Sequence, residues 1–343
     1  MTTEPLLSIQ NLRTHFHTDD GVVEAVDGVS FDVNRGETVC LVGESGSGKT
    51  VTGESVTKLL PMPPAELVGD SVVFDGEDLG TASDARLREL RGDRIGHVFQ
   101  NPEGALNPVY TVGYQIREAI DAHRDVSKAT ARRRAIDLLE DVGIPEATTR
   151  IDDYPHEFSG GMKQRVVIAM ALACDPDLLI ADEPTTALDV TIEAQILERF
   201  RELQAEYDMG IIFITHDLGI VAEIADTVVV MYAGKVMEIG SVEDIFENPA
   251  HPYTKALLDC LPGRSGLEPI PGTLPSPIDP PAGCRFHERC EYATEECHAG
   301  EQPPLSELRD GHRASCVHLC EGADSLPDVA GTPDANPHLG GGQ

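Results

Sequence analysis

Residues 43–50 read GESGSGKT, the complete pattern GxxxxGK[ST] of a phosphate-binding loop. The apolar run TVCLV before the loop predicts a buried strand, and TVTGESVTKLL, which begins at Thr50, is compatible with a helix. A glycine-rich loop between a strand and a helix lets backbone N–H groups and the helix N-terminus converge on an anion. The sequence therefore predicts an α/β fold that binds nucleotide phosphates through Gly43, Glu44, Ser45, Gly46, Ser47, Gly48, Lys49 and Thr50.

Two side chains at the end of this loop have the chemistry that a magnesium-bound nucleotide needs. Lys49 is expected to reach the β and γ phosphates as a point charge, and the Thr50 hydroxyl to complete the Mg²⁺ shell. The loop pattern occurs in many nucleotide-binding families, so this motif alone leaves the enzyme class open.

A second strand ends in two acids. Residues 178–181 (LLIA) predict a fully buried strand, and Asp182 and Glu183 follow it directly. In a parallel sheet they lie at the carboxyl edge, where ligands bind. Asp182 is then placed to orient Mg²⁺ and its bound water, and Glu183 to act as the general base on an attacking water.

A third motif, FSGGMKQR, begins at Phe158. Ser159 predicts the N-cap of a helix over the following apolar positions, and Gly160 and Gly161 leave its first N–H groups accessible. This helix start predicts a second anion site.

The order of the three motifs resembles the nucleotide-binding subunit of an ATP-binding cassette (ABC) transporter, over about residues 6–320. The resemblance implies three further functional residues. Gln100 matches the Q-loop glutamine that senses Mg²⁺ and nucleotide and faces the transmembrane partner. Asp189 matches the D-loop, and His216 matches the switch histidine that contacts the γ-phosphate. The resemblance also implies that the nucleotide held by one subunit is contacted by the signature residues of the other subunit, Ser159, Gly160 and Gly161. The active unit is then a dimer.

The adenine contact is a separate prediction. Phe16 is similar to the aromatic residue that stacks on adenine in this family. Two alternatives stay open at this position: Phe16 packs under the N-terminal sheet, or neighbouring His15 or His17 lies near the base.

The resemblance is most specific to importers of oligopeptides and dipeptides, a group that also includes nickel importers. It rests on FSGGM in place of the commoner LSGGQ, on QNPEGALNP from Gln100, and on HPYTKALL from His251. With Glu183, His216 and the signature residues intact, the resemblance implies a competent ATPase.

The implied fold is that of a P-loop NTPase with an ABC ATPase domain: a parallel core sheet, an antiparallel β subdomain and a helical subdomain. The antiparallel strands are predicted from SIQNLRTHF, VSFDVN and SVVFDG. Helices are predicted from TVGYQIREAIDAH and KATARRRAIDLLEDVG. We expect the nucleotide-binding domain at 6–250, with its helical subdomain at about 100–170. A Cys-rich C-terminal extension follows at 251–322, and a disordered tail at 323–343.

Composition narrows the class and the location. The 343 residues contain 26 basic and 59 acidic residues and carry a net charge of −33, which disfavours nucleic acid as a partner. Sparse lysine with abundant acid is typical of proteins from a salt-rich cytoplasm. Because the sequence has neither a long apolar run nor a basic leader, we expect a peripheral protein on the cytoplasmic face of the membrane.

Cysteines cluster after the Pro- and Gly-rich connector that begins near Pro249. In a chain without a signal peptide such spacing favours a metal over disulfides, and all-thiolate ligation suits zinc or an iron–sulfur cluster. The peptide-importer resemblance, through CRFHERC, implies a [4Fe–4S] cluster. Zinc stays open as the alternative, with nearby histidines as substitute ligands. The predicted ligands are Cys284, Cys290, Cys297 and Cys316.

The sequence leaves three hypotheses for the function. The favoured one is an ATPase that powers peptide uptake through two separate permease subunits, together with a second ABC ATPase (a related subunit or a second copy) and an external binding protein. Nickel is the alternative cargo. A soluble ABC ATPase acting on DNA or ribosomes is less favoured because no coiled-coil insertion, zinc hook or tandem cassette is visible. A regulator without enzymatic activity is disfavoured by the intact Glu183 and His216.

Overall fold

The computed structural model describes residues 4–186, 188–261 and 270–319. Its strands are β1 Leu7–Thr18, β2 Gly21–Val33, β3 Thr38–Val42, β4 Ala65–Val68, β5 Ser71–Phe74, β6 Glu77–Asp78, β7 Ile95–Val98, β8 Leu178–Asp182, β9 Gly210–Ile214, β10 Thr227–Tyr232, β11 Lys235–Ser241, β12 Ser306–Arg309 and β13 His312–Ala314. Its helices are α1 Lys49–Val56, α2 Asp84–Leu90, α3 Pro102–Ala105, α4 Val112–His123, α5 Lys128–Asp141, α6 Ala147–Arg150, α7 Gly160–Ala171, α8 Val190–Tyr207, α9 Leu218–Ile224, α10 Val242–Glu247 and α11 Pro252–Asp259.

The main sheet has eight strands in the order β12-β13-β11-β10-β3-β9-β8-β7. The five strands from β10 to β7 are parallel, so their carboxyl ends meet at one edge. Every residue of β3, β8 and β9 is buried, as expected for strands covered on both faces. The strands predicted before the phosphate-binding loop and before the acidic pair are therefore confirmed.

Alternate residues of these strands face two different cores. Leu179 and Ala181 pack in the core shared with the helices. Leu178 and Ile180 pack on the other face, in the core that contains Leu7 of the antiparallel sheet. Since the side chains of a strand alternate between faces, one apolar run supplies both cores.

The antiparallel sheet has the order β2-β1-β5-β6, with β4 pairing with β1. The long β1–β2 pair joins Leu7 with Val33 at one end and Thr18 with Gly21 at the other. This arrangement confirms the sheet predicted from SIQNLRTHF, VSFDVN and SVVFDG.

Helices α3 to α7 lie between β7 and β8 in the chain. Helix α4 begins where the Thr111 hydroxyl accepts the Tyr114 N–H at 3.3 Å, and α5 begins where the Ser127 hydroxyl accepts the Thr130 N–H at 3.1 Å. Both predicted helices are thus confirmed with polar caps at their starts. The domain boundaries proposed from the sequence stay a prediction.

The C-terminal part adds to the main sheet. Strand β13 pairs with β11, joining Ala314 with Glu238, and β12 pairs with β13 at the sheet edge. These two strands of four and three residues were not predicted. The tail predicted to be disordered, 323–343, lies outside the described residues.

No helix within the described ranges is both long enough and apolar enough to cross a membrane.

Candidate functional site

The phosphate-binding loop connects β3 with α1. Gly43 has φ of 146° and Gly48 has φ of 99°, a region that L side chains rarely adopt. A Cβ atom on Gly43 would lie 2.1 Å from the Met231 carbonyl oxygen, and one on Gly48 would lie 2.4 Å from the Ala25 carbonyl oxygen. Both glycines are therefore required by backbone conformation and by close approach of the neighbouring strands.

Gly43→Ala is expected to destabilise the nucleotide-free protein by more than the about 1–2 kcal/mol of the backbone strain alone. Gly46→Ala is the matched control, because Gly46 has φ of 83° but no heavy atom lies within 4 Å of the position that a Cβ would take there. Urea unfolding without nucleotide measures both variants. Equal losses for the two would show that contact with Met231 contributes nothing.

Lys49, at the start of α1, lies within the loop. Its Nζ donates to the carbonyl oxygens of Gly43 at 2.8 Å and Glu44 at 2.9 Å. Burial lowers the pKa of Lys49, and the carboxylates of Glu183, Asp182 and Glu44 act in the opposite direction. The Lys49 ammonium group is thus held inside the phosphate-binding loop by two of the loop's carbonyl oxygens.

Thr50 and Asp182 form the candidate magnesium site. The Thr50 hydroxyl hydrogen-bonds the Asp182 side chain, and burial raises the pKa of that carboxyl group. Within the described part of the chain, Asp182 Oδ1 is buried without a hydrogen-bond partner. A hydroxyl and a carboxylate with a spare oxygen are the hard donors that Mg²⁺ takes. The residues therefore fit this ion.

Both residues border a cavity of about 210 Å³ that extends to Gln100. Glu54 also lines this cavity, and its pKa is raised by burial and by the charge of Asp182. Glu54 was not predicted from the sequence: it is the one acid of α1, and no motif singles it out.

Glu183 is the centre of a hydrogen-bonded cluster. Its Oε1 lies 2.9 Å from His216 Nδ1, and its Oε2 accepts from Gln100 Nε2 at 3.1 Å. Thr186 Oγ1 donates to Oε2 at 3.0 Å. The structure thus brings Gln100 and His216 to Glu183, from which they are 83 and 33 residues away in the chain. Thr186 was missed, because a threonine after a strand end carries no signal of its own.

The protonation state of Glu183 follows from this cluster. Burial raises the pKa of Glu183, but the hydrogen bonds from His216, Gln100 and Thr186 outweigh it, and the net shift is downward. The carboxylate is therefore ionised at neutral pH and has the charge state required of a base. The backbone of Glu183 has φ of 46°, an uncommon value for a side chain of this size.

Phe16 is half-buried on β1, opposite Val23 of β2 and Ala65 of β4. His17 is exposed, and its Nε2 lies 2.7 Å from Glu66 Oε2. Among the described residues, His15 Nε2 is buried and has no hydrogen-bond partner. The adenine contact assigned to Phe16 stays a prediction.

The signature residues Ser159, Gly160 and Gly161 lie at the start of α7. Ser159 is exposed and caps α7, its hydroxyl accepting the Met162 N–H at 3.3 Å. Gly160 is also exposed and has no heavy atom within 4 Å of the position of a Cβ. Gly161 follows in the first turn, and Asp189 caps α8 through the Ile192 N–H at 3.1 Å.

The predicted [4Fe–4S] cluster is wrong. Within residues 4–186, 188–261 and 270–319 no group of three or more His, Cys, Asp or Glu residues is placed to hold a metal ion, which also leaves the zinc alternative without support. Cys284 and Cys297 pack in the main core, whereas Cys316 packs in a separate cluster with Ala314. Burial raises the pKa of Cys284, and it raises that of Cys290 to about 12.

The nearby histidines have other partners. His312 Nε2 lies 2.8 Å from the buried carboxylate of Glu238, and His318 Nε2 lies 2.8 Å from the Tyr292 carbonyl oxygen. His287 Nδ1 lies 2.7 Å from the Cys284 carbonyl oxygen. These contacts hold the C-terminal part together by ordinary hydrogen bonds.

Comparison with known proteins gives two family matches. Residues 26–186 match the family described as ABC transporter, and residues 237–297 match the oligopeptide/dipeptide transporter C-terminal region. The chain is 50% identical to the oligopeptide transport ATP-binding protein OppD of Bacillus subtilis, covering 90% of this chain and 87% of that protein. It is 49% identical to the dipeptide transport ATP-binding protein DppD of Escherichia coli, covering 93% of this chain and 98% of that protein.

Solved structures give the same fold. The dimeric post-hydrolysis state of the ATP-binding cassette MJ0796, bound to ADP and Pi, superposes with a TM-score of 0.64 at 26% identity. The match covers 69% of this chain and 98% of that one. The structure of cbiO1 from Clostridium perfringens superposes with a TM-score of 0.60 at 27% identity, covering 76% of this chain and 96% of that one.

The salt-rich habitat predicted from the acidic composition is not supported. Relatives that are 49% to 50% identical come from Bacillus subtilis and Escherichia coli, so the sequence similarity does not point to a salt-rich habitat.

The loop, the strand-end acids and the Glu183 cluster occupy one edge of a parallel sheet, and the relatives match nearly the whole chain. The chain belongs to the ABC transporter family of ATP-hydrolysing proteins, and its C-terminal region is of the oligopeptide/dipeptide transporter type.

Proposed function

We propose that this chain is the ATP-hydrolysing subunit of an ABC importer of dipeptides or oligopeptides. The observation that carries the proposal is the match of residues 237–297 to the oligopeptide/dipeptide transporter C-terminal region. The relatives named for oligopeptide and dipeptide transport agree with it. Nickel is not favoured as cargo, since these relatives are named for peptides.

ATP is the substrate of the proposed reaction. The N–H groups of the loop and the Lys49 ammonium group bind its phosphates, and the half-buried Phe16 ring stacks on its adenine. Thr50 and Asp182 would hold Mg²⁺, and Gln100 lines the same cavity. When bound, this ion withdraws charge from the β and γ phosphates.

Glu183 acts as the general base. Its ionised carboxylate accepts a proton from water while the water oxygen attacks the γ-phosphorus, and the bond to the β–γ bridging oxygen breaks to release ADP. His216 and Gln100 orient the carboxylate through their hydrogen bonds to its two oxygens. His216 is also proposed to contact the γ-phosphate. Its side chain is 62% exposed, which leaves the ring accessible to that group.

A complete site takes two cassettes. The start of α7 is exposed, and its free N–H groups can bind an anion. It is therefore proposed to close over the phosphates held by the other subunit, through Ser159, Gly160 and Gly161. Asp189 is proposed to lie at the same dimer interface. The likeness to a dimeric cassette with ADP and Pi supports this arrangement. The second cassette is a related subunit or a second copy.

The proposed docking surface for two permease subunits lies in the helical subdomain, placed at about 100–170 within a nucleotide-binding domain of 6–250. Five large apolar side chains are exposed there: Val109 at 68%, Tyr110 at 44%, Tyr114 at 39%, Val126 at 40% and Tyr154 at 41%. Exposed apolar groups of this size are typical of interaction surfaces. The subunit then sits on the cytoplasmic face of the membrane, and an external binding protein delivers the peptide.

Copurification from native membranes tests this function. The Glu183→Gln variant, solubilised with ATP in mild detergent, is expected to bring down two permease subunits and a second cassette. Lys49→Ala is the control, because this variant is expected not to bind ATP and so shows which partners copurify in the absence of bound nucleotide. Peptides and Ni²⁺ are then tested on the associated binding protein. Recovery with ribosomes or nucleic acid, and without membrane protein, would refute the importer function.

A further inference from the structure

Arg289 is a buried arginine that joins the C-terminal part to the phosphate-binding loop. Its side chain is 5% exposed, although arginine is seldom buried without a partner. Its Nε donates to the Pro271 carbonyl oxygen at 2.8 Å, and its Nη2 donates to the Ile270 carbonyl oxygen at 3.0 Å. These bonds fix the guanidinium plane against residues of its own C-terminal part.

The remaining donor atom of Arg289 points to the loop. Nη1 lies 3.0 Å from Glu44 Oε1 and 3.1 Å from Glu44 Oε2, and also 3.1 Å from the Tyr232 hydroxyl. Glu44 is the second residue of GESGSGKT, so a residue 245 positions away in the chain binds the loop directly. A charge-assisted contact of this geometry is among the stronger hydrogen bonds in proteins.

The backbone of Glu44 is held as well. Tyr253, a fully buried residue of α11, accepts the Glu44 N–H with its hydroxyl at 2.9 Å. The Glu44 carbonyl oxygen accepts from Lys49 Nζ at 2.9 Å. The side chain, N–H and C=O of Glu44 therefore all have fixed partners, two of them supplied by the C-terminal third of the chain.

Arg285 makes a parallel contact that avoids the loop. Its Nη2 donates to Glu24 at 2.9 Å and to Asp27 at 2.6 Å, both on β2. Its side chain is also 5% exposed. Arg285 and Arg289 thus belong to the same CRFHERC segment and are equally buried, but only Arg289 binds the phosphate-binding loop.

We propose that Arg289 is a positioning residue for ATP: it neutralises Glu44 and fixes the turn of the phosphate-binding loop. The inference rests on the proposed function, since it takes ATP to be the ligand of the loop. An uncompensated carboxylate at position 44 would repel the triphosphate and compete for Lys49. With Arg289 in place, the loop meets the phosphates with its N–H groups and Lys49, so the C-terminal part contributes to nucleotide affinity.

Binding of ATP to the full chain tests this role. Arg289→Ala is expected to raise Kd and KM for ATP about 10-fold, with kcat changed less than about twofold. Arg289→Lys restores the charge without the planar fork, so its Kd is expected to lie between the two. Arg285→Ala removes an equally buried arginine and is expected to lower Tm while leaving the Kd for ATP within about twofold of wild type.

A double-mutant cycle separates charge neutralisation from packing. In the Glu44→Ala background, Arg289→Ala is expected to change Kd by less than about twofold, because the carboxylate it acts on is gone. If Arg289→Ala does not fold, Arg289→Lys carries the same comparison. Unchanged Kd and KM in Arg289→Ala would overturn the role of Arg289 but not the proposed function. An equal rise in the Kd for ATP in Arg285→Ala would do the same. A wild-type chain that fails to bind ATP would overturn the proposed function as well.

Discussion

Glu183→Gln is expected to lower kcat for ATP hydrolysis by about 10²- to 10⁴-fold, the range that a general base contributes. The amide keeps the size of the side chain and an oxygen that accepts the hydrogen bonds of Gln100 and Thr186, but it cannot take a proton from water. ATP binding is therefore expected to persist, because Lys49 and the loop are untouched. ATP without turnover is expected to trap a closed dimer.

Steady-state hydrolysis and a sizing column with and without ATP measure the two effects. Glu54→Gln is the matched control, since it removes a carboxylate from the cavity beside Asp182 and Glu54 is not one of the hydrogen-bond partners of Glu183. We expect its kcat to fall less than about 10-fold. Normal turnover by Glu183→Gln, or equal losses in both variants, would contradict the assignment of Glu183 as the base.

The sequence predicts those parts of the site whose residues lie within one short motif. The loop follows β3 directly, and Asp182 and Glu183 end β8, so one apolar run and its neighbours place each of them. The resemblance to a family supplied Gln100 and His216, which no local pattern singles out. Their contact with Glu183 then follows from the topology, because β7, β8 and β9 are adjacent parallel strands with a common carboxyl edge.

The parts that the sequence does not predict depend on pairing across long separations. The bond from Arg289 to Glu44 closes 245 residues of chain, and no periodicity reports such a contact. Strands β12 and β13 are too short to show alternation, and they form because β11 offers a free edge. The spacing of Cys284, Cys290, Cys297 and Cys316 is compatible with ligation, yet spacing cannot show whether thiols are buried among apolar groups.

Lys49→Ala is expected to weaken ATP binding by about 2–5 kcal/mol, the range for removing one partner of a buried charge contact. This loss corresponds to an increase in Kd of about 30- to several thousand-fold. The physical reason is that Lys49 is buried and is the cation inside the loop, so no other described loop residue supplies a positive charge to the phosphates. Hydrolysis is expected to disappear with binding.

Thermal unfolding with and without ATP separates lost binding from lost folding. At about 100 times Kd a ligand stabilises the native state by about 2.7 kcal/mol, so wild type is expected to show a clear ATP-dependent rise in Tm. Lys49→Ala is expected to lose that rise without a lower Tm in buffer, because a buried ammonium group is itself costly to desolvate. Lys58→Ala is the control, since Lys58 Nζ binds the Gly80 carbonyl oxygen at 2.7 Å, outside the loop. An undiminished ATP-dependent rise in Lys49→Ala would contradict the phosphate contact of Lys49.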